Sequence, residues 1–266
     1  MNTAQRSASS HADAVAKADA FHALHVRGRP FVLLNIWDPG SASAVAAGGA
    51  PALATGSWSV ASAHGYPDGE KIPLDLAIDN LRRIVAATTL PVSVDLESGY
   101  GDDPAAVAKT ITRAIEAGAI GCNLEDSHPA DGTLRDIAGY VTRIRAARAA
   151  ADAKSPRFFI NARCDVFFQK GVAHDAAAVT HAAERARAYA DAGADGFFAP
   201  GLVDPALIER LAKESPLPLN IMASANTPAL DVLARCGVAR LSHGPGPYAQ
   251  AMQALQAQAR AVYAAG

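Results

Sequence analysis

The sequence predicts a (β/α)8 TIM barrel, and three observations carry that prediction. Eight short apolar runs bounded by turn residues lie near 31–38, 52–56, 91–96, 121–125, 157–163, 196–200, 217–222 and 239–243. Stretches with helical spacing separate them. Val107, Ile111 and Ile115 fall four apart, and Ile137, Val141 and Ile144 four and three apart, each set on one helix face. A phrase that ends a helix on glycine and opens a strand recurs at 46–50, 116–121, 191–196 and 235–240. Glycine accepts the left-handed conformation that closes a helix, so the phrase marks the αβ joint of a βα array. Strands alternating with helices over about 250 residues give the barrel. A doubly wound open sheet is the competing arrangement. Its glycine fingerprint is missing after the first strand, where the chain reads Trp37-Asp38-Pro39-Gly40-Ser41.

No linker divides the 266 residues, so the chain 1–266 reads as a single domain. A helical extension occupies about 1–28, with its helix at 9–27, and a C-terminal helix runs from about 246 to the end. The longest irregular stretch, Gly56 to Pro73, precedes a helix near 74–88. It follows a strand and therefore sits on the catalytic face of a barrel. Asp38 before Pro39 reads as a helix N-cap with proline at the first helical position. Half the residues are apolar, much of that alanine, which suits closely packed helices. A net charge of −2 gives no support for nucleic-acid binding or for a charged membrane surface. No apolar run has the length of a membrane span, and Met1 to Lys17 lacks the hydrophobic segment of a secretory signal. Three cysteines, Cys122, Cys164 and Cys236, with no CxxC spacing argue against a zinc or disulfide framework. The expected compartment is reducing and cytoplasmic.

The chemistry concentrates at strand ends. Val94-Asp95-Leu96-Glu97-Ser98-Gly99 is an apolar run that ends in acid and breaks at glycine, and Cys122-Asn123-Leu124-Glu125-Asp126 ends the same way. Along a strand Asp95 and Glu97 point to one side. Acids that face inward are costly to bury unless a positive group neutralises them, and a hard divalent cation, Mg²⁺ or Mn²⁺, suits carboxylate oxygens. Solvated loop acids or helix caps are the plainer alternative. Asn161 and Arg163 share a face at the end of strand five. Arg163 is either a salt-bridge partner of a neighbouring acid or a fork that binds a substrate carboxylate. Asn123 and Asn161 either satisfy interior polar groups or orient metal-bound water. Cys164 alternates away from Arg163 and is expected to pack outward. His243, with Gly244 and Gly246, ends strand eight and reads as a tight turn.

Taken together, these motifs resemble those of the isocitrate lyase/phosphoenolpyruvate mutase superfamily. Asp95-Leu96-Glu97-Ser98-Gly99-Tyr100-Gly101 is similar to its Asp-x-Asp-x-Gly-Tyr-Gly motif, Leu124-Glu125-Asp126 to its next acidic strand end, and Ala162-Arg163-Cys164-Asp165 to its Ala-Arg-x-Asp/Glu segment. Gly56-Ser57-Trp58-Ser59-Val60 and Gly65-Tyr66-Pro67-Asp68 resemble its strand-two loop. The similarity runs from about residue 30 to 245. It implies a barrel that binds Mg²⁺ (Mn²⁺ also fits) around Asp95, Glu97 and Glu125. The implied substrate is a 2-oxo acid, or a 2-hydroxy acid cleaved to one, whose carboxylate meets Arg163 and the amides near Ser57 and Trp58. Asp68 matches a loop aspartate near the reacting centre. The resemblance also implies exchange of the C-terminal helix between subunits, giving a homodimer or homotetramer.

The chain departs from that pattern in the loop after strand four. Isocitrate and methylisocitrate lyases carry a cysteine there, and the phosphonate-forming mutases carry lysine and asparagine. Here the loop reads Asp126-Ser127-His128-Pro129-Ala130-Asp131-Gly132-Thr133. His128 is its titratable newcomer, either a solvated loop histidine or a replacement acid. The expected activity is Mg²⁺-dependent cleavage of a C–C bond in a small oxaloacetate-, malate- or methylisocitrate-like di- or tricarboxylate. The alternatives are a mutase or hydrolase acting on a P–C bond, and a non-catalytic binder of small acids.

Overall fold

The structure, a computed structural model, describes residues 3–155 and 157–264. The first predicted strand is split at Leu34 into β1 (Phe31–Leu33) and β2 (Asn35–Ile36). The other seven follow in place: β3 (Leu53–Thr55), β4 (Val92–Asp95), β5 (Gly121–Glu125), β6 (Phe159–Arg163), β7 (Gly196–Ala199), β8 (Leu219–Met222) and β9 (Arg240–Ser242). All pair in parallel, in the order β1-β9-β8-β7-β6-β5-β4-β3-β2. The split strand closes the ring. Phe31 and Leu33 pair with Arg240 and Ser242 of β9, while Asn35 and Ile36 pair with Ala54 and Thr55 of β3.

The outer helices draw in different combinations on side-chain caps, apolar stripes and glycine stops. They are α2 (Pro39–Ala47), α4 (Leu74–Ala86), α5 (Pro104–Glu116), α6 (Ile137–Lys154), α7 (Ala176–Asp191), α8 (Pro205–Glu214) and α9 (Leu230–Arg235). Asp38, Asp103, Asp136, Asp175 and Asp204 cap five of them by accepting first-turn amides. At Asp38 the predicted cap is a full capping box with Ser41. Val107, Ile111 and Ala114 of α5 and Ile78, Leu81 and Ile84 of α4 are buried in the core between helices and barrel. The recurrent glycines do what their phrase implies: Gly49, Gly118, Gly193 and Gly237 have φ of +90°, +99°, +102° and +85°. Gly118 is constrained twice, because a Cβ there would also lie 2.7 Å from Val85.

Two boundaries differ from expectation. The N-terminal helix α1 spans Thr3–Leu24 and not 9–27, because the chain turns back through a Val26–Arg29 bridge with Gly28 left-handed. The loop 56–73 is not irregular throughout. Ser57–Ala63 forms a short helix, α3, held by Val60 and Ala61 packed with Ile72. Cys164 is fully buried among the outer core residues, as its alternation implied. Among the described residues no helix is long and apolar enough to cross a membrane.

The α1 helix plugs the N-terminal end of the barrel with Ala18 and Phe21, which pack on Leu33, Ala52, Ala54, Ile120 and Phe159. His25 closes the plug. Its Nδ1 lies 2.9 Å from the Phe21 carbonyl, its ring stacks on Phe159 at 4.1 Å, and its Nε2 is buried without a partner. Burial, and secondarily the nearby Arg240, hold its pKa down to about 3. At the other end, Asp126 anchors the β5 loop from below. It is fully buried and accepts from Arg185 Nη1 (2.9 Å), Tyr189 Oη (2.6 Å) and the Asp165 amide (2.9 Å). The C-terminal helix α10 (Gly246–Tyr263) differs from the rest in having no buried residue.

Two stability measurements follow from this packing. His25 takes up a proton in the unfolded chain near pH 6.5 but resists it in the fold, so its contribution is complete above that pH and erodes as pH falls toward 3. Wild type should lose up to about 1.4 kcal/mol per pH unit from this residue across that window, less whatever solvent screening removes. His25→Phe should show a shallower fall of Tm between pH 6 and 4, and an unchanged slope would contradict the assignment. Asp126→Ala strands the buried Arg185 charge and should cost about 3–5 kcal/mol in denaturant unfolding. Asp126→Asn, which keeps hydrogen-bonding capacity, should cost less.

Candidate functional site

At the C-terminal end of the strands, a cavity of about 180 Å³ is lined by Asn35, Ser57, Asp68, Asp95, Asn123 and Arg163 among its polar groups. A larger depression, about 690 Å³, lies at the opposite end between α1 and α9. Apart from Arg29 and Asp231 its walls offer few polar side chains, and no convergent acids. The rim cavity is therefore the candidate site.

Asp95 ends β4 and is tied into the rim by accepting the Ser57 amide at 3.1 Å. Glu97 does not continue the strand, contrary to the alternation argument. Its φ is +51°, and its side chain turns under the neighbouring loop to accept the Glu70 amide at 2.7 Å. Glu70 returns the contact, accepting Ser98 Oγ at 2.7 Å and the Tyr100 amide at 2.8 Å. Glu70, Glu97 and Tyr100 are the non-glycine residues with left-handed backbone among those described, and all three sit in this latch. Such conformations persist only where surrounding contacts over-determine them. Arg143 of α6 supplies part of that determination by donating to the carbonyls of Ser98, Gly101 and Asp102.

Asp68, Asp95 and Glu97 crowd one another. Burial, then Asp68 and Asp95, push the Glu97 carboxyl up to about 8. Burial and then Asp95 raise Asp68, against the pull of the Gly69 amide, Arg163 and the Ser57 hydroxyl. Glu97 Oε1 is buried with no partner. Hard oxygen donors held together against their repulsion, one of them with an orphaned atom, fit a divalent cation. Glu125, the third member of the expected ligand set, is also engaged by neighbouring side chains. Its Oε2 accepts from Arg163 Nη1 at 2.7 Å and its Oε1 from Ser127 Oγ at 3.0 Å. Among the described residues no three His, Cys, Asp or Glu side chains stand in a metal-holding array.

Arg163 is a salt-bridge partner of neighbouring acids, and it also faces the cavity. Its Nε and Nη2 bind the two oxygens of Asp165 (2.7 and 3.0 Å), and its guanidinium also lines the cavity. Burial alone would lower its pKa, but Glu125 and Asp165 hold it above the ordinary guanidinium value. Those acids use three of its five N–H groups, leaving one on each terminal nitrogen. Asp165 is fixed in turn by Ser127 Oγ (2.9 Å) and by its own amide on Asp126. Asn123 lines the cavity, whereas Asn161 lies below it, fully buried, donating Nδ2 to Asn123 Oδ1 at 2.9 Å. Trp58 is at the mouth, 40% exposed. The Ser57 amide is taken by Asp95, so it is not the free anion donor the resemblance implied.

His128 is not brought to the cavity. The loop 127–134 folds into a hairpin through a Ser127–Leu134 bridge and the His128 amide on the Thr133 carbonyl. The histidine then faces a separate crevice with Asp102, Arg135, Asp136 and Arg143. Sequence reasoning missed the Glu70 latch and the part of Asp165 in fixing Arg163. For Asp165 a signal existed, since an acid two residues after the arginine can reach its fork. For Glu70, in a Gly-Glu-Lys loop, there was none.

The family model for phosphoenolpyruvate phosphomutase matches residues 21–263. A solved structure from Burkholderia cenocepacia J2315, named as a candidate phosphonomutase, is 57% identical, with a TM-score of 0.89 over 92% of this chain and 99% of that one. The uncharacterized protein Rv1998c of Mycobacterium tuberculosis is 37% identical over 243 residues, 91% of this chain and 88% of that protein. An oxaloacetate decarboxylase of Chromohalobacter salexigens is 31% identical over 241 residues, 88% of this chain and 81% of that enzyme. The barrel, the acidic rim and these matches lead to one assignment: the chain is an enzyme of the phosphoenolpyruvate phosphomutase family, within the isocitrate lyase/phosphoenolpyruvate mutase superfamily of lyases and mutases.

Proposed function

We propose that the protein is a Mg²⁺-dependent lyase that cleaves a C–C bond in a small 2-oxo or 2-hydroxy acid. The observation that carries the reading is Arg163, which lines the cavity with two uncommitted N–H groups, together with Asp68 and Asp95, against which Glu97 is crowded. Asp95 and Glu97 would hold the Mg²⁺ or Mn²⁺. Bound there, the ion supplies Lewis acidity toward negative charge that develops during bond cleavage. Arg163 receives the substrate carboxylate and adds fixed positive potential. Glu125 and Asp165 keep its fork aimed and its charge permanent. Asp68, its carboxyl raised by burial and by Asp95, is placed at the cavity wall to hold or deliver a proton. A P–C bond reaction remains the second reading, favoured by the likeness to a protein named as a phosphonomutase.

The C-terminal helix also enters here. Met252, Leu255, Val262 and Tyr263 of α10 are 39%, 59%, 62% and 83% exposed, while its start packs Tyr248 on Trp37 and Trp58 beside the cavity. We propose that this helix docks on a second copy of the chain, in a homodimer or homotetramer. Sedimentation should give a dimer or tetramer that Leu255→Asp dissociates, and a wild-type monomer at micromolar concentration would contradict it.

The activity is tested by incubating purified protein and Mg²⁺ with 4-hydroxy-2-oxopentanoate, oxaloacetate, substituted malates, 2-methylisocitrate and phosphonopyruvate, detecting pyruvate, glyoxylate and phosphate. Expected is release of pyruvate or glyoxylate without phosphate. EDTA should abolish it, and Arg163→Lys, which keeps the charge but not the fork, should slow it roughly 100-fold. Phosphate release would move the assignment to the P–C reading.

A further inference from the structure

We infer that the group beyond the reacting carbon of the substrate is uncharged and apolar, so that the site takes a 2-oxo acid with one carboxylate and a small alkyl or aryl tail. This rests on the reading above, in which the 2-oxo acid head meets Arg163. The first observation is the charge on the cavity wall. Among the described residues that line it, Arg163 is the one cation, and it already carries Glu125 and Asp165. Asp68 and Asp95 are the other charged groups there. Arg240, the fully buried arginine of β9, is not at the wall and gives its Nε to Ser242 Oγ beneath it. With the head group on Arg163 and the metal ion, a second carboxylate or a phosphonate would be desolvated next to acids with no further cationic side chain in the described lining to meet it.

The second observation is the chemistry of the remaining wall. Trp58, Phe168, Phe198, Met222 and Pro245 come from five different loops or strand ends and line the same 180 Å³ space. Phe198 is 5% exposed, whereas Trp58 and Phe168 stand at the mouth, 40% and 45% exposed. The Phe168 ring faces the Arg163 guanidinium at 5.5 Å, so the apolar wall begins where the carboxylate site ends. Large aromatic side chains left open at a cavity mouth gain by covering an apolar group and offer nothing to an anion. The small volume limits the tail to a few carbons. The expected di- and tricarboxylates are therefore disfavoured within the proposed class.

N-substituted oxamates share the 2-oxo acid head and differ only in the tail, which separates the two readings. Calorimetric titration of the Mg²⁺-loaded protein should show N-isobutyloxamate binding roughly tenfold or more tighter than oxamate. N-(carboxymethyl)oxamate should bind more weakly than oxamate. Met222→Lys, which places a cation on the apolar wall, should reverse the order of the isobutyl and carboxymethyl compounds. N-(carboxymethyl)oxamate binding as tightly as the isobutyl compound to wild type would overturn this inference alone. Failure of oxamate itself to bind would overturn the head-site reading and this inference with it.

Discussion

The rim of this barrel is organised by the cost of burying negative charge. Asp68, Asp95, Glu125 and Asp165 gather around one guanidinium, with Glu97 crowded against Asp68 and Asp95, and the positions of neighbouring groups follow from how each acid is compensated. Glu125 and Asp165 are satisfied by Arg163 and Ser127. Asp126, just below, is satisfied separately by Arg185 and Tyr189, so it does not compete for Arg163. That division leaves Asp68, Asp95 and Glu97 mainly with backbone amides, the Ser57 hydroxyl and each other. The acids nearest to a cation bind and aim it. The acids left over are the ones proposed above to take a divalent cation.

The same arrangement explains why a loop of unfavourable backbone survives. Glu70 and Glu97 exchange contacts between two loops, and Arg143 reaches from α6 to the carbonyls that would otherwise be stranded behind Tyr100. Three left-handed residues are costly, of the order of 1–3 kcal/mol each, and here they hold a buried carboxylate against Asp68 and Asp95, which line the cavity.

Much of the fold was legible because its signals are local. The eight strand segments are short apolar runs, and the glycine stops and the Asp38 cap are dictated by neighbours within a few positions. The Asp95, Arg163 and Asp68 positions were legible through motif. What failed has physical causes. The α3 segment, Ser57-Trp58-Ser59-Val60-Ala61-Ser62-Ala63, is too short and too rich in serine to show a helical stripe, and its helix depends on Ile72 arriving from further along the chain. Glu97 broke the alternation because the strand ends one residue before Leu96. His128 looked like an acid for the site because nothing local shows which way a hairpin faces. Phe198 and Met222 read as ordinary core residues of separate strands, and only closure of the barrel shows that they share a wall with Arg163.

The split first strand carries a consequence for how the chain acquires its shape. Leu34 divides five residues between two partners, β9 on one side and β3 on the other, and Asn35 also receives the Gly244 amide from 209 residues away. The neighbouring βα units can pair as each emerges, since their contacts are local. The seam cannot form until the last strand exists. Until then β1 is an open edge and the cavity lacks Ser242, Gly244 and Pro245, so the site exists only once the ring is sealed. Assembly of the binding site and completion of the longest-range pairing are thus a single event, and a chain halted before β9 would carry nearly all its helices and no working pocket.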